Sequence, residues 1–240
     1  MRIYKMKIIL PLLFPILSSS GLLHSCKRTL PEPPPVVPVV TAAVKYLALG
    51  DSYTIGQGVS EQQRFPYHTV QLLRAQGIRI DDPTYLATTG WTTGNLLSAV
   101  NNSTLLKFDF VTLLIGVNDQ YQRVDTALYR QRFVQLLEKA EAYVSGRRER
   151  VVVLSIPDYS ATPFVGPSDK LRVSREINFF NMINKEETLR QGIQYIDITP
   201  LTRMAATDPT LLAPDNLHYS GKEHEKWAQL LASAIKTTLQ

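Results

Sequence analysis

The chain of 240 residues has a single cysteine, Cys26. No disulfide can form within it, so the fold must rest on a packed core. Its four histidines are scattered, and no His/Asp/Glu/Cys group falls at ligand spacing, which leaves no basis for a metal site. No Lys/Arg stripe with interleaved aromatics occurs, so nucleic-acid binding lacks its electrostatic footprint. The longest apolar run, Ile8 to Leu23, counts 16 residues with serines inside it. That falls short of the roughly 20 residues needed to span a bilayer. The G-x-S-x-G elbow that exposes a nucleophilic serine in many hydrolases is also missing.

What is present begins with a targeting pattern. Met1-Arg2-Ile3-Tyr4-Lys5-Met6-Lys7 carries three positive charges and no acid, followed by apolar Ile8 to Leu17 and Ser18-Ser19-Ser20-Gly21. This predicts a secretory signal over residues 1–25. Cys26 follows Leu23-His24-Ser25, which resembles a bacterial lipobox and implies lipidation of the Cys26 thiol. An ordinary signal peptide with an incidental cysteine is the alternative, as is a retained anchor. Residues 1–25 hold three of the 26 Lys and Arg and none of the 21 acids, so the formal charge drops from +5 to +2 without them. Residues 26–43 include Pro31-Glu32-Pro33-Pro34-Pro35-Val36-Val37-Pro38, a stiff tether of about 3.1 Å per residue where extended. Residues 44–240 are then expected to form one domain, large enough for a single core. The expected location is the bacterial envelope, lipid-anchored, periplasmic or surface-exposed.

Within that domain strands and helices alternate. Apolar runs at Tyr46–Leu49, Tyr85–Ala87, Phe110–Ile115, Val151–Ile156 and Ile193–Ile198 read as five strands. Phe133, Leu136, Leu137, Ala140 and Val144 make one helical stripe, and Trp227, Leu230, Leu231, Ala234 and Ile235 another. Ser220 and Glu223 have capping-box spacing ahead of the last helix. Alternation of this kind predicts an α/β fold, a three-layer α/β/α sandwich around a five-stranded parallel sheet. Ligands bind such sheets at the carboxyl ends of the strands.

The chemistry-bearing residues fall at those ends. Gly50-Asp51-Ser52 follows the first run, Gly90 the second and Asn118 the third, while Asp215-Asn216-Leu217-His218 follows the fifth by a longer loop. Serine, histidine and aspartate are the parts of a nucleophilic hydrolase, in which imidazole takes the serine proton and carboxylate orients the ring. Singly, each has a structural alternative: Ser52 as a helix cap, Gly90 and Asn118 as turn residues, Asp215 as a turn cap. Asp51 and Asp119 read as scaffold hydrogen-bonders, Gly56 and Gly58 as turn residues, and His68 and His224 as structural or solvated.

Taken together, Gly50-Asp51-Ser52, Gly90 in Thr88-Thr89-Gly90-Trp91, Gly116-Val117-Asn118-Asp119 and Asp215-Asn216-Leu217-His218 resemble the four blocks of the SGNH (GDSL) hydrolase family. The likeness runs from Tyr46 to the final helix and is strongest to secreted bacterial esterases of the lysophospholipase type. Tyr219 departs from it, standing where many members have proline. The resemblance implies a flavodoxin-like sheet and a Ser52–His218–Asp215 triad. Its oxyanion donors would be the Ser52 N–H, the Gly90 N–H and the Asn118 amide. It also implies cleavage of acyl esters without a cofactor, acting on a small-molecule, glycan or lipid ester. Tyr159 and Phe164, in the loop from Pro157 to Pro167, are expected to wall the substrate pocket. A carbohydrate O-acetyl esterase and a non-catalytic glycan- or lipid-binding lipoprotein on the same fold are the alternatives. The protein is expected to act as a monomer, touching a membrane only through its lipid.

Overall fold

Valine, leucine and phenylalanine in unbroken runs make strands that must be covered on both faces, and the central strands of this chain are buried along their whole length. The structure is a computed structural model describing residues 42–239. The signal segment, Cys26 and most of the proline-rich tether lie outside the described residues. The elements in chain order are β1 (Tyr46–Gly50), α1 (Ser52–Ile55), α2 (Phe65–Ala75), β2 (Thr84–Ala87), α3 (Thr93–Asn101), β3 (Phe110–Leu114), α4 (Val117–Tyr121), α5 (Thr126–Tyr143), β4 (Val151–Leu154), α6 (Lys170–Arg190), β5 (Gln194–Ile196), α7 (Thr199–Thr202) and α8 (Gly221–Leu239). The strands form one parallel sheet in the order β2-β1-β3-β4-β5. Right-handed crossovers then send α2 to one face, where it packs on α8, and α3, α5 and α6 to the other. Tyr46 and Phe110, neighbours across β1 and β3, meet edge to face at 5.6 Å. The α5 stripe of Phe133, Leu136, Leu137 and Ala140, continued by Val144, is fully buried. Among the described residues no helix is long and apolar enough to cross a membrane.

Three local expectations change. β4 stops at Leu154 rather than Ile156 because the Asn181 side chain from α6 takes both backbone groups of Ile156. Its Oδ1 accepts the N–H at 2.7 Å and its Nδ2 donates to the carbonyl at 2.9 Å. The capping box before α8 does not form. The Ser220 hydroxyl donates to the Thr210 carbonyl at 2.8 Å, and Glu223 turns inward to accept from Trp227 Nε1 at 3.0 Å. Leu230 is not core but 42% exposed, whereas Trp227, Leu231 and Ile235 are fully buried. It sits one step around the helix from the stripe, past the edge of the α2 contact.

The chain passes from β1 to β2 on one side and returns to β3 on the other. That reversal opens a crevice at the carboxyl ends of β1 and β3, where this type of sheet binds ligands.

Candidate active site

The turn out of β1 admits only glycine at its first position. A Cβ on Gly50 would lie 2.1 Å from Thr54 Oγ1 and 2.5 Å from the Leu114 carbonyl. Asp51 then caps α1, its Oδ1 accepting the Tyr53 N–H at 3.0 Å, and Gly56 closes that single turn at φ 67°. Ser52 is thereby fixed as the first helical residue, nearly buried, with its N–H among the first-turn donors that a helix leaves without an internal acceptor.

Out of β3, Gly116 adopts φ 126°, and a Cβ there would meet the Tyr129 hydroxyl at 2.3 Å. This tight exit starts α4 and places Asn118 in its first turn. Asn118 Nδ2 donates to the Trp91 carbonyl at 3.0 Å. An amide nitrogen has two protons, so one fixes the side chain while the other remains available. Asp119 accepts from Thr93 N at 2.8 Å and Thr93 Oγ1 at 2.6 Å, bolting the loop after β3 to the start of α3. Gly90 is the third residue of a turn closed by Trp91 N–H to the Thr88 carbonyl at 3.2 Å. It takes φ 84°, and a Cβ there would meet nothing within 4 Å. The positive φ calls for glycine at this position.

The remaining pair comes from the loop before α8. Asp215 Oδ1 accepts the N–H groups of Leu217 (3.0 Å) and His218 (2.9 Å), while Oδ2 lies 2.6 Å from His218 Nδ1. Asn216 turns the chain at φ 57°, a conformation asparagine tolerates. Burial pushes the Asp215 carboxyl up, but the bonds from the His218 ring and the two N–H groups outweigh it. The net shift is below the usual carboxylate range. Asp215 stays ionised, as a group must that steadies an imidazolium. Tyr53 lies edge-on to the His218 ring at 5.6 Å and is backed by Trp227 of α8 at 6.4 Å. Gly58 does more than turn: a Cβ there would press on Ala213 at 2.8 Å, beside Asp215.

Ser52, Asn118, His218, Tyr159 and Phe164 line one cavity of about 170 Å³, with Asp215 behind the histidine. Gly90 is not among the residues lining this cavity, and the carbonyl of its neighbour Trp91 accepts from Asn118. Tyr53, Val117, Tyr121 and Leu217 complete the lining. Val117 and Leu217 stand inside the motifs, Tyr53 directly after one and Tyr121 one helical turn beyond Asn118, but motif chemistry does not mark them as lining. Tyr159 is buried and donates to Gln120 Oε1 at 2.8 Å, whereas Phe164 is 50% exposed. Tyr219 does more than adjust a turn: it is fully buried, and its hydroxyl donates to the Asp158 carbonyl at 3.1 Å.

Two buried carboxyls lie beneath the cavity. Burial first, and then the charge of Asp119, pushes Asp51 up to about 8. Its Oδ2 has no hydrogen-bond partner among the described residues. Burial also raises Asp119, against the bonds from Thr93. His224 is fully buried, accepts the Phe65 N–H at 3.2 Å and is pushed down to about 3 by burial and nearby positive groups. It is a neutral core histidine, while His68 is half-buried on α2. Among the described residues no group of three or more His, Cys, Asp or Glu could hold a metal.

A serine on a strand-to-helix turn shares one cavity with a histidine whose carboxylate partner lies three residues away on the same loop, on a flavodoxin-like sheet. The GDSL-like lipase/acylhydrolase family model matches residues 48–226, and the chain belongs to that family. No match is found among curated protein sequences. Similar solved structures include a lipase/acylhydrolase from Enterococcus faecalis, 19% identical over 81% of this chain and 96% of that one, with TM-score 0.64. The psychrotrophic esterase EstA from Pseudoalteromonas sp. is 16% identical over 82% and 98%, with TM-score 0.61. The acetylxylan esterase Axe2 from Geobacillus stearothermophilus is 19% identical over 82% and 94%, with TM-score 0.59. At such identities these structures share the fold, and the family match makes the chain an ester hydrolase.

Proposed function

We propose that this protein cleaves short-chain carboxylic esters through a Ser52–His218–Asp215 triad and an acyl-enzyme, needing no cofactor. One observation carries the proposal. Asp215 occupies His218 Nδ1 at 2.6 Å, which leaves Nε2 as the ring nitrogen for Ser52, and both residues line the same cavity. Ser52 Oγ attacks the acyl carbon and gives its proton to His218. The oxyanion takes the Ser52 N–H, the Gly90 N–H and the second proton of Asn118 Nδ2. His218 then protonates the departing alcohol, and water repeats the sequence to free the acid. The test is p-nitrophenyl butyrate hydrolysis by Ser52→Ala, expected to vanish with the circular dichroism unchanged. Full activity in that variant refutes the triad.

A cavity of about 170 Å³ is small beside the roughly 300–1,000 Å³ of pockets for drug-sized ligands, and favours short acyl groups. The exposed rings of Tyr121 and Phe164 at its rim, 61% and 50% accessible, also support a second reading, an acetyl ester on carbohydrate. The fold shared with an acetylxylan esterase is consistent with this. A series from acetate to palmitate esters decides acyl length. Failure to label with a fluorophosphonate would instead favour a non-catalytic binding protein. The protein acts as a monomer, held at the bacterial envelope by a lipid on Cys26. Cys26→Ala is expected to release it from the membrane fraction, and retention there refutes the anchor.

A further inference from the structure

The aromatic wall of the catalytic cavity has another side. Tyr121, Tyr159 and Phe164 also line a second cavity of about 430 Å³, whose remaining walls include Arg123, Asp169 and Arg172. Arg172 is already engaged, by Asp169 at 2.9 Å and Glu176 at 3.0 Å, and Glu176 further accepts from Gln120 Nε2 at 2.6 Å. Arg123 is exposed and has no ion-pair partner among the described residues. Arg175, which shares a neighbouring hollow with Arg123 and Glu176, adds a third cation against two carboxylates. The region is left one charge positive.

The backbone at Arg123 is as informative as its charge. α4 ends in a Schellman turn, with Val124 N–H to the Asp119 carbonyl at 2.9 Å and Arg123 N–H to the Gln120 carbonyl at 3.0 Å. The residue at its hinge belongs to glycine by preference, yet Arg123 sits there at φ 57°. A side chain held in that region is strained, and strain of this kind collects at functional positions. The same short helix carries Asn118 in its first turn, Tyr121 in the shared wall and Arg123 at its end. The small apolar cavity suits the acyl half of an ester, and the polar cavity across the shared aromatic wall offers room for the alcohol half.

We propose that this second cavity is a substrate subsite in which Arg123 receives an anionic group, carboxylate or phosphate, carried by the alcohol half of the ester. The subsite rests on the ester-hydrolase reading given above. Its test compares kcat/KM for phenyl acetate and 4-acetoxybenzoate, which differ by one distal carboxylate. The wild type prefers the anionic ester roughly 2–5-fold at about 10 mM salt, and the preference collapses towards one at about 1 M, where screening is nearly complete. Arg123→Gly brings the ratio close to one at both salt levels, and Arg123→Lys keeps most of the preference. Because glycine relaxes the positive φ, Arg123→Gly also raises Tm, which separates lost recognition from misfolding. A wild-type ratio at or below one, or an unchanged ratio in Arg123→Gly, overturns the subsite while phenyl acetate hydrolysis leaves the esterase standing. If the wild type cleaves neither ester, the esterase reading fails and the subsite falls with it. An acetylated uronate and a short-chain acyl glycerol phosphate then distinguish the source of the anion, by which of them shows Arg123-dependent preference.

Discussion

Asn118 divides two protons between structure and chemistry. One is held by the Trp91 carbonyl at 3.0 Å; in the proposed mechanism the other meets the oxyanion, and preorganised donors need no reorganisation as charge develops. Asn118→Ala should lower kcat by about 10²–10³-fold with little change in KM, as measured by steady-state hydrolysis. Asn118→Asp should lose a comparable amount, since an ionised carboxylate accepts but cannot donate. The glycines separate by the same local logic. Gly90→Ala faces only the torsional cost of positive φ, roughly 1–2 kcal/mol, because the space around it is open. Gly116→Ala adds a collision with Tyr129 and Ile156. Thermal unfolding should rank Gly116→Ala well below Gly90→Ala, and the reverse order would contradict this packing. At this scale the motif letters were legible in sequence, but the reasons for them were not. Gly90 shows this in its torsion, φ 84° in a turn, which no motif letter displays.

Elements hold the proposed triad in register through contacts distant in sequence. Tyr219, two residues before α8, reaches Asp158 in the loop after β4. Asp158 is in turn clamped by Ser174 at 2.7 Å and Arg203 at 2.8 Å. Burial raises the Asp158 carboxyl, but the bonds from Ser160, Ser174 and Arg203 prevail and lower it overall. The strut thus joins the loop bearing His218 to the wall bearing Tyr159. Tyr219→Phe should cost about 1 kcal/mol, rising towards 3 if the buried carbonyl finds no other donor. That change is read as a lower denaturation midpoint. The helical stripe of α5, and that of α8 apart from Leu230, could be read from period alone, because burial of one face imposes the 3.6-residue repeat. The failed capping box could not. Glu223 is drawn inward by Trp227 and Lys226, partners that matter only once the helix is docked.

For the whole molecule, the buried Asp51 couples stability to pH. The folded state holds a proton up to about 8, whereas an ordinary aspartate releases it near 3.8. Across that window the unfolded chain binds fewer protons, so stability falls as pH rises from about 4 to about 8. Asp51→Asn keeps an acceptor for the Tyr53 N–H and removes the titration. The Tm of this variant relative to wild type should therefore climb with pH over that range. A difference flat from pH 4 to 8 would show that Asp51 is not held neutral.

Sequence alone determined the alternation of strands and helices, the parallel sheet that follows from it, and the identity of the motif residues. Each rests on local periodicity or on the chemistry of a few side chains. The tertiary structure decided what those residues face. It brought Tyr53, Tyr121 and Leu217 to the cavity and set Arg123 beside a second cavity. It also buried Asp51 near Asp119, where both carboxyls shift upward. Burial and mutual approach arise only when the ends of β1, β3 and β4 are drawn together with the loop before α8, and no local pattern encodes them.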